Sequence, residues 1–215
     1  MNKQTQLSMG ALLLIAIAIV VVIVSEQKSN EPSETSNKNA SFLIRDYSPS
    51  IGNKNAKVTI VEFFDPACET CKKFHPFVKR LMKKNPGKIR LVLRYTPLHK
   101  GSDYVAKFLE ASRLQNKFWE TLEAIYDAQP IWASHHNPQP EKLWTLLEYV
   151  GLDLNRVRKD MQGPVIAKRV QQDIADAKKL QVTKTPGFFV NGKTLVQFGY
   201  KQLQQLVESE IRKNY

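Results

Sequence analysis

Apolar and polar positions change their rhythm several times along this chain. From Leu7 to Val24, eighteen residues run without a charge and are dominated by Leu, Ile, Val and Ala. That is long enough to cross the hydrocarbon core of a bilayer. Ser25 to Ser41 is rich in Ser, Asn, Glu and Lys and nearly free of large apolar groups, the composition of a flexible tether. Lys57 to Phe64 is a β-branched and aromatic run that predicts a buried strand. Phe74, Phe77, Val78, Leu81 and Met82 then recur at helical spacing until Asn85-Pro86-Gly87 breaks the pattern. A second strand is predicted from Ile89 to Tyr95, closed by Thr96-Pro97.

Helical periodicity dominates the middle of the chain, over Ser102 to Gln115, Lys117 to Ala128, Glu141 to Val150, Asp153 to Met161 and Val165 to Leu180. Gly151 and Gly163-Pro164 punctuate it. Short strands are expected at Gly187 to Val190 and Thr194 to Gln197, joined by Asn191-Gly192, a dipeptide suited to a tight hairpin turn. Leu203, Leu206, Val207 and Ile211 mark a closing amphipathic helix. Strands separated by helices need parallel crossovers, whereas the hairpin must be antiparallel. The expectation is an α/β domain over residues 51–215, built on a small mixed sheet flanked by helices, with a helical insertion at about 102–180. It follows a linker at 25–50 and a transmembrane anchor or signal peptide at 1–24.

The anchor reading is favoured over a cleaved signal peptide, because Val22-Ile23-Val24-Ser25 offers bulky branched groups where small residues would mark a cleavage site. Lys3 and the amino terminus lie before the apolar run, and Glu26, Glu31 and Glu34 follow it. The positive-inside tendency then puts the domain on the periplasmic or extracellular side of the membrane.

The formal charge of +12 belongs to residues 41–215, since the first forty residues hold three Lys and three Glu. The basic residues are spread along amphipathic segments without a basic run or a nucleic-acid motif, so no nucleic-acid partner is expected. A solvated basic face, with some attraction to anionic lipid, accounts for them. Phosphate loop, dinucleotide fingerprint and nucleophile elbow are all missing from the sequence, and no organic cofactor is indicated.

Chemistry concentrates in Phe63-Phe64-Asp65-Pro66-Ala67-Cys68-Glu69-Thr70-Cys71-Lys72-Lys73-Phe74-His75-Pro76. Cys68 and Cys71 are the chain's two cysteines, placed where a strand hands over to a helix. A pair at this spacing cycles between dithiol and disulfide with little backbone movement. At a helix N-terminus, unpaired N–H groups and the partial positive charge of the helix end stabilise a Cys68 thiolate. Cys71, one turn further in, is placed to resolve a mixed disulfide. A static bridge closing so short a loop would stabilise little.

This stretch resembles the active site of thioredoxin-fold proteins, and the whole arrangement is similar to the DsbA family of exported thiol-disulfide oxidoreductases. Glu62 lies six positions before Cys68, Pro76 five after Cys71, and Val182-Thr183-Lys184-Thr185-Pro186-Gly187-Phe188-Phe189-Val190-Asn191-Gly192 fits the loop that carries a cis-proline facing the sulfurs. A helical insertion containing Gln115-Asn116-Lys117-Phe118-Trp119-Glu120 separates this family from plain thioredoxins. The resemblance covers nearly all of residues 55–213. It implies that Glu62, beneath the pair, takes the proton of Cys71. It also implies a cis bond at Pro186, with Thr185 backbone groups pairing with an extended substrate.

The implied function is extracytoplasmic thiol-disulfide exchange that introduces disulfides into exported proteins, recycled by a membrane redox partner. A reductase or isomerase using the same site is the alternative; the short tether leaves no room for the dimerisation domain that isomerases of the related group usually carry. A metal-binding module, with Cys68, Cys71 and His75 around Cu(I), is a further alternative. Strong oxidants of the family usually carry Pro-His between the cysteines, where this chain has Glu69-Thr70. The Glu69 carboxylate is expected to raise the Cys68 pKa and make a milder oxidant, partly offset by Lys72, Lys73 and His75. His99, His135 and His136 are expected at the surface, although His99 follows the second strand towards the active-site edge. Trp119, Trp132 and Trp144 are expected to serve packing.

Overall fold

The computed structural model describes residues 41–134 and 137–215. The anchor and most of the tether predicted from the sequence, and His135 and His136, lie outside the described residues. Among the described residues, no helix is long and apolar enough to cross a membrane.

The sheet is built from β1 (Ser50–Gly52), β2 (Val58–Phe64), β3 (Ile89–Tyr95), β4 (Gly187–Val190) and β5 (Lys193–Thr194), in the spatial order β1-β3-β2-β4-β5. β2 and β3 run parallel, with Val58 opposite Ile89 and Phe64 opposite Tyr95. β1 is antiparallel to β3, β4 to β2, and β5 to β4. β2 and β3 are central and covered on both faces, so their near-continuous apolar runs are what such strands require. Both residues of the Asn191-Gly192 turn have positive φ, 47° and 82°, the geometry that lets a two-residue turn follow the twist of its strands.

The helices are α1 (Glu69–Lys84), α2 (Ser102–Arg113), α3 (Phe118–Trp132), α4 (Leu143–Leu146), α5 (Leu154–Asp160), α6 (Pro164–Lys179) and α7 (Tyr200–Asn214). α1 begins directly after β2, carries Glu69 in its first turn and Lys83 and Lys84 in its last, and ends at Asn85. These charges oppose the partial charges of the helix ends. Pro76 sits inside α1 on the exposed side, where it withholds the N–H that a helix would otherwise bond to the carbonyl of Lys72.

Period two along β2 decides which side chain meets which layer. Val58, Ile60 and Phe64 enter the main core together with Cys71, Phe74 and Val78 of α1 and with Leu109, Leu122 and Ile125 of the insertion. Glu62 shares their parity and therefore points into the same layer. Val61 and Phe63 face the other way, into a smaller cluster with Leu43, Val92, Ala177 and Phe189. Each fully buried side chain of this size contributes about 1.5 to 3 kcal/mol, so the chain needs no structural disulfide to hold this domain together.

The structure corrects four expectations. Packed structure begins before Ile51: Leu43 is buried, Arg45 makes two hydrogen bonds to Asp176 at 2.8 and 2.7 Å, and the Tyr47 hydroxyl donates to Asp173 at 2.8 Å. The linker boundary at residue 50 is therefore too late, because a few anchoring side chains outweigh a polar average composition. Ser50 to Gly52 is an additional edge strand, too short to show a period. Glu141 to Val150 is not one helix but α4 between 3-10 turns at Pro140–Lys142 and Glu148–Val150, which bury Leu143 and Leu147 at the same spacing. The predicted strand Thr194 to Gln197 shrinks to Lys193–Thr194, and beyond it Val196 is 91% exposed.

Candidate redox site

Cys68 and Cys71 come together at the junction of β2 and α1. Cys68 is the N-cap residue of α1, with extended backbone, and its N–H donates to the Asp65 carbonyl at 3.0 Å. Its carbonyl accepts the first helical bond, from Lys72 N–H at 3.1 Å. The side chain therefore stands at the mouth of the helix, and Cys71 is fully buried one turn below. Both sulfurs are free thiols here.

Facing Cys68 is the segment that leads into β4. The Thr185–Pro186 peptide bond is cis, as the sequence resemblance implies, and the Cys68 thiol donates to the Thr185 carbonyl at 3.4 Å. The Cys68 thiol is pulled down from its ordinary value to about 5. The hydrogen bond it receives from Cys71 is the largest cause. The Thr185 side chain and the backbone N–H groups of Cys71 and Thr70 add to it, against the opposing effect of burial. Cys71 is pushed well up, first by burial, then by that same hydrogen bond and the nearby Glu62 charge. One sulfur is thus poised as a thiolate and the other held as a thiol.

Glu62 lies beneath them, 1% exposed, its carboxyl raised to about 8 by burial and by the charge on Cys68. Any upward push of Glu69 on Cys68 is outweighed in the net downward shift. Glu69 is exposed to water, which screens its carboxylate, while the thiolate is met by several donors at short range. His75 does not supply an offsetting charge either. It is buried against Tyr126, with ring centroids 5.4 Å apart, and burial lowers its pKa, which disfavours the charged imidazolium. Among the described residues, no group of three His, Cys, Asp or Glu side chains converges to hold a metal ion, so Cys68, Cys71 and His75 do not form the copper site considered from sequence.

Asp65 is a site residue that sequence reasoning passed over. Fully buried, it accepts from Ala67 N–H at 2.8 Å through one oxygen, and from Leu98 N–H at 2.7 Å and His99 N–H at 2.9 Å through the other. The His99 ring nitrogen Nδ1 lies 2.7 Å from that second oxygen. Asp65 thereby ties the turn before Cys68 to the turn after β3. The Asp-Pro pair ahead of the cysteines was its signal, since an Asp that bonds its own backbone two residues on is a turn former. The insertion contributes Gln129, whose Nε2 donates to the Pro66 carbonyl at 3.0 Å. Next to the pair opens a groove of about 590 Å³ whose walls include Thr70, Thr185, Pro186, Leu195 and Phe198.

A mixed sheet, a helix starting at a C-x-x-C pair and a cis-proline opposite it define a protein class before any comparison is made. The thioredoxin family profile matches residues 45–209, and the chain belongs to that family. It is similar to the probable disulfide bond formation protein D of Bacillus anthracis, 26% identical over 96% of this chain and 97% of that protein. It is also 30% identical to the Na(+)/H(+) antiporter NhaA of Herminiimonas arsenicoxydans, over 67% of this chain but only 22% of the antiporter. The chain thus spans about a fifth of the length of that relative. Among solved structures, a thioredoxin-like oxidoreductase from Silicibacter pomeroyi superposes with a TM-score of 0.69 at 29% identity, covering 81% of this chain and 98% of the other.

Proposed function

We propose that this protein is a thiol-disulfide oxidoreductase that donates disulfides to exported proteins. The observation that carries the reading is the asymmetry of the pair: a Cys68 thiol lowered to about 5 at the mouth of the helix, over a Cys71 thiol raised by burial. A client thiolate attacks Cys68 in the oxidised pair, the sulfur–sulfur bond breaks, and Cys71 leaves as a thiolate. The proton that Cys71 then takes comes from Glu62, whose carboxyl holds one below about pH 8. A second client thiolate attacks the client sulfur of the mixed disulfide and expels Cys68. Two electrons end on the pair and one disulfide on the client.

A low-pKa sulfur is a good leaving group, and its stable thiolate favours the dithiol form, which makes the oxidised pair a donor. This supports the donor direction over a reductase or isomerase. The likeness to disulfide bond formation protein D, along nearly the full length of both chains, supports the same reading. Client binding fits the loop before Pro186, where the N–H groups of Thr183, Lys184 and Thr185 have no hydrogen-bond partner among the described residues. An extended client pairs there beside Cys68.

The proposal includes a single-pass anchor within residues 1–24, a domain on the periplasmic or extracellular side, and recharging by a membrane partner that passes electrons to quinone. The uncharged run from Leu7 to Val24 supports the anchor. Alkylation of the cysteines in intact cells tests the direction: a mostly disulfide Cys68–Cys71 pair is expected, and a mostly dithiol pair contradicts the donor reading. The Cys68 value of about 5 also lies between roughly 7 for thioredoxin and roughly 3.5 for DsbA. Equilibration with glutathione is therefore expected to give a potential between about −270 and about −120 mV.

A further inference from the structure

We propose that a second cavity, between the turn after β3 and the C-terminal end of α6, receives an apolar side chain of the extended client held at Cys68. The proposal rests on the redox reading above. The cavity measures about 360 Å³, and Pro97, Leu98, Ile174, Ala177, Val182 and Thr183 line it. Leu98 is 53% exposed and Ile174 40%. These side chains give the concavity an apolar rim.

Thr96 also lines this cavity, and it carries the second, independent observation. The residue is only 3% exposed, and its Oγ1 has no hydrogen-bond partner among the described residues. A buried hydroxyl left unpaired opposes folding, whereas valine would fill the same volume without that penalty. Stability alone does not call for threonine here. The Oγ1 is shielded from solvent in the free protein, so a client entering the cavity supplies the missing partner only by displacing the cavity wall at Thr96.

The position of the cavity identifies its occupant. In the sheet order, β3 lies on one side of β2 and β4-β5 on the other. The segment Val182–Thr185 therefore runs between this cavity, on the β3 side, and the larger groove, on the β4-β5 side, and both share Gln181, Val182 and Thr183. A client strand that pairs with the open N–H groups of Thr183–Thr185 sends successive side chains in opposite directions. One set enters the groove at Phe198, and the other enters the cavity at Leu98 and Ile174.

The test uses the oxidised full-length chain and pairs of peptides that share one cysteine and differ only in a leucine or a serine near it, scanned along both sides of the cysteine. The leucine peptide is expected to react about tenfold faster at one position, the discrimination an apolar pocket gives for such a change. Thr96→Val and Ile174→Ser are each expected to cut that preference to below about threefold. Their rates with glutathione are expected to stay within about twofold of the parent, since glutathione is too small to span the loop. Thr96→Val is also expected to unfold at higher urea, which a purely structural role for the hydroxyl would not produce. A leucine preference that survives in both variants, or none in the parent, overturns the proposal. So does concentration-dependent dimerisation lost in Ile174→Ser without any peptide preference, since a second copy would then be the occupant. A parent protein that fails to react even with glutathione overturns the redox reading itself, a result distinct from loss of peptide preference alone.

Discussion

The Cys68 thiol donates to the carbonyl oxygen of Thr185 at 3.4 Å, across 117 positions of sequence. That contact places the reacting sulfur against a segment whose backbone donors at Thr183, Lys184 and Thr185 have no partner among the described residues. A client bonded to Cys68 is thereby delivered to a loop able to pair with it, so capture and recognition are consecutive steps at one place. The helix supplies the electrostatics and the loop supplies the surface.

Alkylation of the reduced protein follows from the low Cys68 value. A thiolate is the reactive form, so the rate of iodoacetamide labelling at Cys68 is expected to rise with pH through a midpoint near 5 and to be flat from about pH 7 upward. Mass spectrometry of the labelled peptides reads the site. A midpoint near the ordinary cysteine value of about 8.5 contradicts the hydrogen-bonded thiolate described above.

Glu62 gives a stability prediction whose sign follows from a raised pKa. Its carboxyl is protonated in folded and unfolded chains well below 4.5, and between 4.5 and about 8 the unfolded chain ionises first. The contribution of Glu62 to stability is therefore lost as pH rises through that window. Glu62→Gln, which cannot ionise, is expected to gain on the parent by on the order of 2 to 4 kcal/mol between pH 4.5 and 8. Urea unfolding at the two pH values measures it, and a gap that does not widen with pH sinks the assignment.

Asp65→Ala removes the acceptor shared by three backbone N–H groups and the His99 ring. Orphaning buried donors is expected to cost about 2 to 4 kcal/mol in unfolding free energy. Because the turn before Cys68 loses its tie, the labelling midpoint of Cys68 is expected to move upward as well. An unchanged midpoint in a destabilised variant would limit Asp65 to a purely structural part.

Arg94→Ala probes the opposite face of the sheet. Arg94 is fully buried and reaches Asp173 at 2.8 Å, Asp176 at 2.7 Å and the Phe42 carbonyl at 2.6 Å. Removing it leaves the buried Asp173 carboxylate without its guanidinium, while Asp176 keeps Arg45, at a cost of about 3 to 5 kcal/mol. Limited proteolysis is expected to release the segment around Phe42 to Tyr47 faster than in the parent. Protection equal to the parent's would show that the segment is held by other contacts.

The sequence made the sheet, the order of its elements and the sulfur pair readable, because each rests on a local signal. Periodicity marked β2, β3 and β4 within a residue of their observed ends, and Asn191-Gly192 marked the hairpin. What escaped depends on partners distant in sequence. Arg45 and Tyr47 are anchored by Asp176 and Asp173, more than 120 positions away, so a polar segment looked like a tether. Asp65 owes its importance to Leu98 and His99, and His75 is packed against Tyr126, again a partner distant in sequence. Glu69 shows that sequence proximity alone does not set the net shift. Proximity in sequence suggested repulsion of the thiolate, while exposure to water and the donors from Cys71, Thr185 and Thr70 decide the outcome.

Covalent trapping in growing cells probes most directly which sulfur meets the client. Full-length Cys71→Ala, which leaves Cys68 unable to be displaced, is expected to accumulate mixed disulfides with exported polypeptides that collapse on reduction, and Cys68→Ala to accumulate none. Adducts on Cys68→Ala instead, or on neither variant, would contradict the account.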